Sequence, residues 1–420
     1  MIGKDCTHQG HSRGLRRMAA ATMLIAGSLL AAVPAVAEPT HLSFFSWDNE
    51  QVMKPVIAAF EEANPDIRID FSNAPPVNEY VQTLQTRLLS NTAADVFIIA
   101  AENKNALIDG GFVKDLSGYD FIKTMNPQNR AAYGADGKAY GLSLASWGGG
   151  ILYNKALTDK VGMTEPPKSW DEFLALAKKL KDAGITPYYD GVQSGNLMPL
   201  YALIGLAFSK EGGNVDQKIF SGQTSFEKEW TGPLSLYAKL YDDGLISRDV
   251  LGLSDDQIVN EFATSKVAMM GAGPWNLPAI RGINPQIEMN FMAVPGPVSG
   301  ESFLSGAPSP GYAINSATEH LQQAEAFLTF LASPEAVKLY HKSSGAITTT
   351  ADYKPDLDPA LAAIYAGIEA SRIYLPMTSW PRAQDALHTE MVAQIQNMVA
   401  GGIKPADVGK ALDAKLADSQ

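Results

Sequence analysis

Along the first quarter of the chain, the spacing of hydrophobic residues switches back and forth between the repeat of a strand and the repeat of a helix. Apolar runs predict strands over His41–Ser46, Ile67–Phe71 and Asp95–Ala100. Helical spacing between them predicts two amphipathic helices, whose apolar faces are Val52, Val56, Ile57 and Phe60 and then Tyr80, Leu84 and Leu88. This order of elements predicts a parallel sheet with right-handed crossovers.

The same two periods return later in the chain. The predicted strands there are Ile185–Tyr189, Lys266–Met270 and Ile287–Val294. The main predicted helices are Met198–Phe208, Phe226–Tyr241 and Gln322–Leu331, with further helices up to the C-terminus. The whole pattern predicts an α/β protein.

The stretch Ala135–Lys155 combines two apolar runs with Trp147 and the three glycines that follow it. We interpret it as two short strands joined through an exposed Trp-Gly-Gly-Gly, where the chain crosses between two domains, because glycine relaxes the limits on the backbone. An ordinary hairpin with a core tryptophan is the alternative interpretation. Segments rich in Gly and Pro at Leu304–Tyr312 and around Pro355 and Pro359 predict two more crossings.

Length and composition narrow the class of protein. A chain of 420 residues is too long for one core, so two domains are expected. Hydrophobic residues make up 46% and charged residues 19%, which is typical of a globular protein. The net charge of −12 argues against nucleic acid as a partner.

The N-terminus has the features of a secretory signal peptide. Basic residues precede the apolar run Met18–Val33, and Ala35-Val36-Ala37 offers small residues for cleavage after Ala37. The single cysteine, Cys6, falls in this leader, so we expect neither a disulfide nor thiol chemistry in the remaining chain.

Seven short segments share an order and spacing that is more specific than any one of them. They are Phe60-Glu61 with Asn64-Pro65, Ala93–Phe97, Asp136–Gly141, Leu152–Lys155, Pro167–Glu172, Lys266–Met270 with Gly273-Pro274-Trp275, and Ser333-Pro334-Glu335. Together they resemble the extracellular solute-binding proteins of bacterial ABC importers, the family that includes maltose-binding proteins.

The resemblance implies a two-lobed periplasmic-binding-protein fold of type II, with the ligand cleft between the lobes and about three crossing segments. We expect residues 1–37 to be the signal peptide, residues 38–146 and 307–353 to form the N-terminal lobe, and residues 147–306 and 354–420 to form the C-terminal lobe. The implied function is a periplasmic monomer that captures a sugar or oligosaccharide by hinge closure and delivers it to a membrane permease. No catalysis, cofactor, metal or nucleic acid is expected.

Tryptophans cover the apolar faces of sugars, and polar side chains hold their hydroxyl groups. Strand ends and loops give the candidates Trp47, Asp48, Glu50, Trp147, Gln193, Asn196, Asn276, Tyr312 and Arg382. The resemblance adds Glu102, Trp275 and Trp380, and it shows that Trp147 stands where the maltose-binding relatives have a carboxylate. Trp170 and Trp230 are interpreted as structural.

Other chemistry remains as an alternative. Two cleft carboxylates among Asp48, Glu50 and Glu102 would suit a secreted glycosidase. The same fold could bind a non-sugar ligand such as a polyamine or iron, and the adjacent tyrosines Tyr188 and Tyr189 point to iron. Neighbouring residues of a strand face opposite sides of a sheet, which disfavours that pair as iron ligands.

Overall fold

The computed structural model describes residues 38–75, 77–100, 103–350 and 353–419. The predicted signal peptide, residues 1–37, lies outside the described residues. Among the described helices, none combines the length and the apolar character that crossing a membrane requires.

The strands within this part of the chain are short, apart from one. They are β1 (Thr40–Ser46), β2 (Ile67–Asn73), β3 (Val96–Ile99), β4 (Gly134–Ala135), β5 (Lys138–Ala139), β6 (Ala145–Asn154), β7 (Thr186–Tyr189), β8 (Val267–Ala272), β9 (Met289–Met292), β10 (Val294–Pro295), β11 (Ser302–Pro308), β12 (Gly311–Ile314), β13 (Ile347–Thr348) and β14 (Ile373–Tyr374).

The helices carry most of the chain between these strands. They are α1 (Glu50–Ala63), α2 (Val77–Leu89), α3 (Lys104–Asp109), α4 (Pro127–Ala132), α5 (Lys155–Asp159), α6 (Trp170–Asp182), α7 (Met198–Lys210), α8 (Val215–Phe220), α9 (Phe226–Asp242), α10 (Asp255–Ala263), α11 (Leu277–Ile283), α12 (Leu321–Leu331), α13 (Pro334–Ser344), α14 (Ala362–Glu369), α15 (Pro376–Ser379), α16 (Gln384–Ala400) and α17 (Pro405–Asp418). Short 3₁₀ turns occur at Asp120–Thr124, Arg248–Gly252, Pro274–Asn276 and Pro359–Leu361.

A four-stranded sheet is built from the start of the chain and one late strand, in the order β12-β3-β1-β2. Strand β1 pairs in parallel with both β2 and β3, so the predicted parallel arrangement is confirmed. Strand β12 pairs with β3 in the antiparallel direction. Apolar residues of these strands pack with Phe60 of α1 and Phe327 of α12 into one hydrophobic cluster.

A larger sheet has the order β10-β11-β6-β8-β7, with β9 and β13 also paired to β6 and with β14 paired to β11. Strand β6 runs unbroken through Trp147 and the three glycines, so the prediction of two strands joined by an exposed glycine turn is wrong. The glycines serve close packing instead. A Cβ on Gly149 would collide with the Met198 sulfur, and one on Gly150 would lie 2.6 Å from the Met292 carbonyl oxygen.

The chain passes between the two sheets at three places. Leu142 still bridges to β12 of the smaller sheet, whereas β6 belongs to the larger one. Strand β11 leads through Ser309 and a cis Pro310 into β12. Strand β13, which pairs with β6, follows helix α13, which packs on α1.

Side chains of the short helix α4 and of the residue that follows it form hydrogen bonds to all three passages. The side chain of Asn129, which is fully buried, donates to the Ala145 carbonyl oxygen at 2.8 Å and accepts from the Thr349 hydroxyl at 3.3 Å. The Tyr133 hydroxyl, just after the helix, donates to the Pro308 carbonyl oxygen at 2.9 Å. These bonds hold the crossing segments side by side.

Candidate functional site

A cavity of about 730 Å³ opens between the two sheets. Its described lining comes from both of them: Trp47, Val77, Val81, Gln82, Gln85, Ala100, Tyr133, Trp147, Ser194, Gly195, Asn196, Met198, Tyr201, Asp255, Ser305, Ala307, Pro308, Ser309, Leu375, Met377, Asp385 and His388. This volume lies within the range that small-molecule pockets occupy.

The wall from the smaller sheet presents one indole and two amides. Trp47 follows β1 directly and stands edge-on against Tyr80, with ring centroids 5.2 Å apart. Gln82 and Gln85 lie one turn apart on α2 and line the same cavity. The strand end fixes the indole, and the helical repeat places both amides on one face.

The wall from the larger sheet presents a second indole. Trp147 of β6 meets Trp275 edge-on, with ring centroids 5.4 Å apart. Trp275 is 50% exposed and lines a small pocket that shares Asn196 and Asp255 with the main cavity. The two pockets therefore adjoin, and Trp275 extends the aromatic surface that Trp147 begins.

The loop from Gly191 to Asn196 is held in place by hydrogen bonds of its own. Gly195 adopts a φ of 81°, a left-handed conformation that favours glycine. The Asp255 carboxylate accepts from the Ser194 hydroxyl at 2.8 Å and from the Asn196 amide nitrogen at 2.6 Å. This wall of the cavity is therefore largely preformed.

A buried acid lies directly behind the same loop. Asp190 is inaccessible to solvent and accepts from the Tyr237 hydroxyl at 2.9 Å. Burial raises the pKa of this carboxyl to about 7. Gly271 of β8 leaves the room that Asp190 needs, since a Cβ there would collide with the carboxylate oxygen.

Five of the predicted site residues lie at these pockets. Trp47, Trp147 and Asn196 line the main cavity. Trp275, Asn276 and again Asn196 line the small pocket beside it. That these side chains touch a ligand stays a prediction.

Three other predicted residues, Asp48, Glu50 and Gln193, do not belong to the described lining of the cavity, so their assignment to it is wrong. Asp48 points to Tyr340, whose hydroxyl donates to it at 3.1 Å, and burial raises the pKa of Asp48 to about 6. Glu50 is exposed in the first turn of α1, where its carboxylate stabilises the helix by interacting with the positive end of the helix dipole. Gln193 is exposed, and its carbonyl oxygen accepts from Gln396. Glu102 lies outside the described residues.

The remaining three predicted residues also lie away from the described lining, and two of them are buried. Trp380 is 1% exposed, and its indole N–H donates to Asp216 at 3.3 Å. Tyr312 is buried in the cluster of the smaller sheet. Arg382 donates to the Phe220 carbonyl oxygen at 3.3 Å. Burial in these clusters removes the two aromatic rings from water, and Leu375 and Met377 line the cavity in place of Trp380.

Several polar residues of the lining were not predicted: Gln82, Gln85, Ser194, Ser305, Ser309, Asp255, Asp385 and His388. The sequence-based candidates come mainly from strand ends and loops, whereas Gln82, Gln85, Asp385 and His388 lie on helices. Each of these pairs is three residues apart, so a search for short polar pairs on helix faces could have found them.

Two sheets, each with its own core, joined by three chain passages around one cavity, define a two-lobed binding protein. A family model for bacterial extracellular solute-binding proteins matches residues 47–338, and the chain belongs to that family. The two-lobed α/β fold of type II that the resemblance implied is therefore confirmed. The family is one of exported binding proteins rather than enzymes, which also decides against the glycosidase.

Relatives of known name agree in length with this chain. The multiple sugar-binding protein of Streptococcus mutans is 26% identical over 332 residues, which cover 76% of this chain and 77% of the relative. The melibiose/raffinose/stachyose-binding protein of Bacillus subtilis is 22% identical over 387 residues, and this alignment covers 89% of this chain and 88% of the relative. A family 1 extracellular solute-binding protein of Bifidobacterium longum subsp. infantis has a solved structure with a TM-score of 0.80, at 29% identity, over 91% of this chain and 100% of that one.

Proposed function

We propose that the protein captures a sugar or oligosaccharide in the cavity between its lobes and delivers it to the permease of an ABC importer. The observation that carries this proposal is that Trp47, just after β1 of the smaller sheet, and Trp147, on β6 of the larger one, line the same cavity. Two indoles on opposite walls can cover both apolar faces of a sugar ring. The names of the Streptococcus and Bacillus relatives support a carbohydrate ligand.

The polar lining suits the hydroxyl groups of a sugar. Gln82, Gln85 and Asn196 each offer an amide donor and an amide acceptor. Ser305 is buried at the cavity, and its hydroxyl has no partner within the described part of the chain, so it retains hydrogen-bonding capacity for a ligand.

Closure of the lobes over the ligand is the proposed working motion. We place the lobe boundaries at residues 146/147, 306/307 and 353/354; the chain passes between the sheets close to the first two, whereas the third passage comes earlier, between α13 and β13. A ligand that touches both walls binds the closed form better and shifts the population toward it. The proposed site of action is the periplasm, after removal of residues 1–37, with the protein acting as a monomer.

Calorimetric titration with melibiose, raffinose and stachyose tests the proposal. At least one should bind and raise the melting temperature, because it interacts only with the folded protein. Trp47→Ala should abolish that binding with little change in folding, since its indole lies at the cavity surface. Trp170→Phe is a matched aromatic control in the core, and it should keep the affinity of the unaltered protein.

Two results would contradict this proposal. If no carbohydrate in this series or in a wider neutral panel changes the melting temperature, the proposed function is wrong. If Trp47→Ala binds as tightly as the unaltered protein, the assignment of the cavity is wrong even where a sugar binds.

A further inference from the structure

The cavity lining contains acidic side chains, and its described residues include no lysine or arginine. Among its described lining residues, those that can carry a charge near neutral pH are Asp255, Asp385 and His388. Burial lowers the pKa of His388 below its ordinary value, which favours the neutral ring at pH 7. The described lining therefore contributes two negative charges and no compensating positive one.

Neither carboxylate is neutralised by a bond to a cation within the described residues. Asp255 accepts from the Ser194 hydroxyl and the Asn196 amide, which are both uncharged donors. Asp385 is exposed in the first turn of α16. Asp255 likewise lies in the first turn of α10, so the positive ends of two helix dipoles offset part of these charges, and no ion pair among the described residues neutralises the rest.

Anionic ligands are normally held by arginine, by lysine or by helix N-termini. A carboxylate or phosphate that entered this cavity would meet two like charges, and the low-dielectric walls of a cleft strengthen their repulsion relative to open water. A hydroxyl group meets no such penalty, because carboxylates accept hydrogen bonds from it.

We propose that Asp385, together with Asp255, selects the ligand by charge, so that the cavity accepts uncharged and cationic carbohydrates and excludes uronic acids and phosphorylated sugars. This inference rests on the proposed function and adds the chemical class of its ligand. Asp385 is the better residue to test, because Asp255 also orders the binding loop.

The test uses three forms of each of three sugars. Melibiose, raffinose and stachyose each end in a galactose whose C6 hydroxyl can be left intact, oxidised to a carboxylate, or replaced by an ammonium group. We expect the carboxylate form of the bound sugar to bind at least about tenfold more weakly than the parent, and the ammonium form to bind at least as tightly. Titrations at low and high salt should show this difference shrinking as charges are screened.

Two variants separate local from overall charge. Asp385→Asn should recover about threefold or more of the affinity that the carboxylate form loses relative to the parent. Asp256→Asn removes the same charge from an exposed residue outside the described lining and should recover none of it. If the carboxylate form binds as tightly as the parent, or if both variants act alike, charge selection by Asp385 is wrong while sugar binding stands. If none of the nine compounds binds, the failure falls on the proposed function instead.

Discussion

The six tryptophans of the chain divide into two groups that lie in different regions of the fold. Trp47, Trp147 and Trp275 stand at the cavity or at the pocket beside it and keep part of their surface accessible. Trp170, Trp230 and Trp380 are almost completely buried in the main hydrophobic cluster of the larger sheet. The same side chain therefore serves recognition in one region and packing in the other.

The local backbone separates the two groups. Trp47 follows a strand, Trp147 lies within one, and Trp275 lies in a 3₁₀ turn after another, so all three belong to the sheets or to their ends. Trp170 and Trp230 lie on amphipathic helices, and Trp380 follows the short helix α15. In α/β folds the strand ends face the ligand, whereas apolar helix faces cover the sheets.

Replacing a core tryptophan should have the largest effect on stability. Trp230 is fully buried, and its ring packs edge-on against Phe226 with centroids 5.4 Å apart. Trp230→Ala should lower the free energy of unfolding by about 3–5 kcal/mol, because it removes buried contacts and leaves a cavity. Urea unfolding followed by circular dichroism measures this change.

A matched variant shows that the loss comes from packing. The indole N–H of Trp230 has no hydrogen-bond partner among the described residues, so Trp230→Phe removes no bond and should cost much less than the alanine variant. If Trp230→Ala were as stable as the unaltered protein, the division of the tryptophans into two groups would fail.

Much of the fold could be predicted from hydrophobic periodicity. Strands β1 to β3 and their parallel pairing follow from apolar runs alternating with helical faces, and the structure confirms them. The path of β6 could not be predicted in this way, because three glycines look like a turn along the chain. Only their neighbours in space, Met198 and the Met292 carbonyl oxygen, show why they lack side chains.

The site was less predictable than the fold. Trp47 and Trp147 could be assigned from their positions near strands, and both line the cavity. Trp380 could not be placed, because its burial depends on Trp230, Phe226 and Asp216, which are far away in sequence. Asp385 and His388 were not predicted because strand ends, and not helix faces, supplied the candidates, although the two residues lie one turn apart on α16.

The acid that anchors Trp380 should make stability depend on pH. Asp216 accepts from the Tyr374 hydroxyl and the Trp380 indole N–H, and burial raises its pKa from 3.8 to about 6. The folded state therefore keeps this proton over a range in which the unfolded chain has lost it. Its contribution to the free energy of unfolding is complete below pH 4, falls as the pH rises to about 6, and then stays constant, with a total change of about 3 kcal/mol.

The variant Asp216→Asn isolates that contribution, since an amide does not titrate. Other buried carboxyls such as Asp48 and Asp190 titrate in both proteins and cancel in the difference. Between pH 4 and pH 7, the unfolding free energy of the unaltered protein should fall by about 3 kcal/mol relative to that of the variant. A difference that does not change with pH would show that folding leaves the pKa of Asp216 unchanged.

Replacing a cavity tryptophan should have the smallest effect on folding and a selective effect on binding. Trp147 is partly exposed and pairs with Trp275, so Trp147→Ala should cost only about 1 kcal/mol of stability. Its loss from the cavity wall should weaken binding of the oligosaccharide identified by calorimetry by about 2 kcal/mol, or roughly thirtyfold. Trp147→Phe, which keeps an aromatic face, should restore part of this affinity. Because Trp230→Phe leaves the cavity untouched, it should bind like the unaltered protein; if instead both phenylalanine variants lose affinity equally, the two groups of tryptophans do not differ in function.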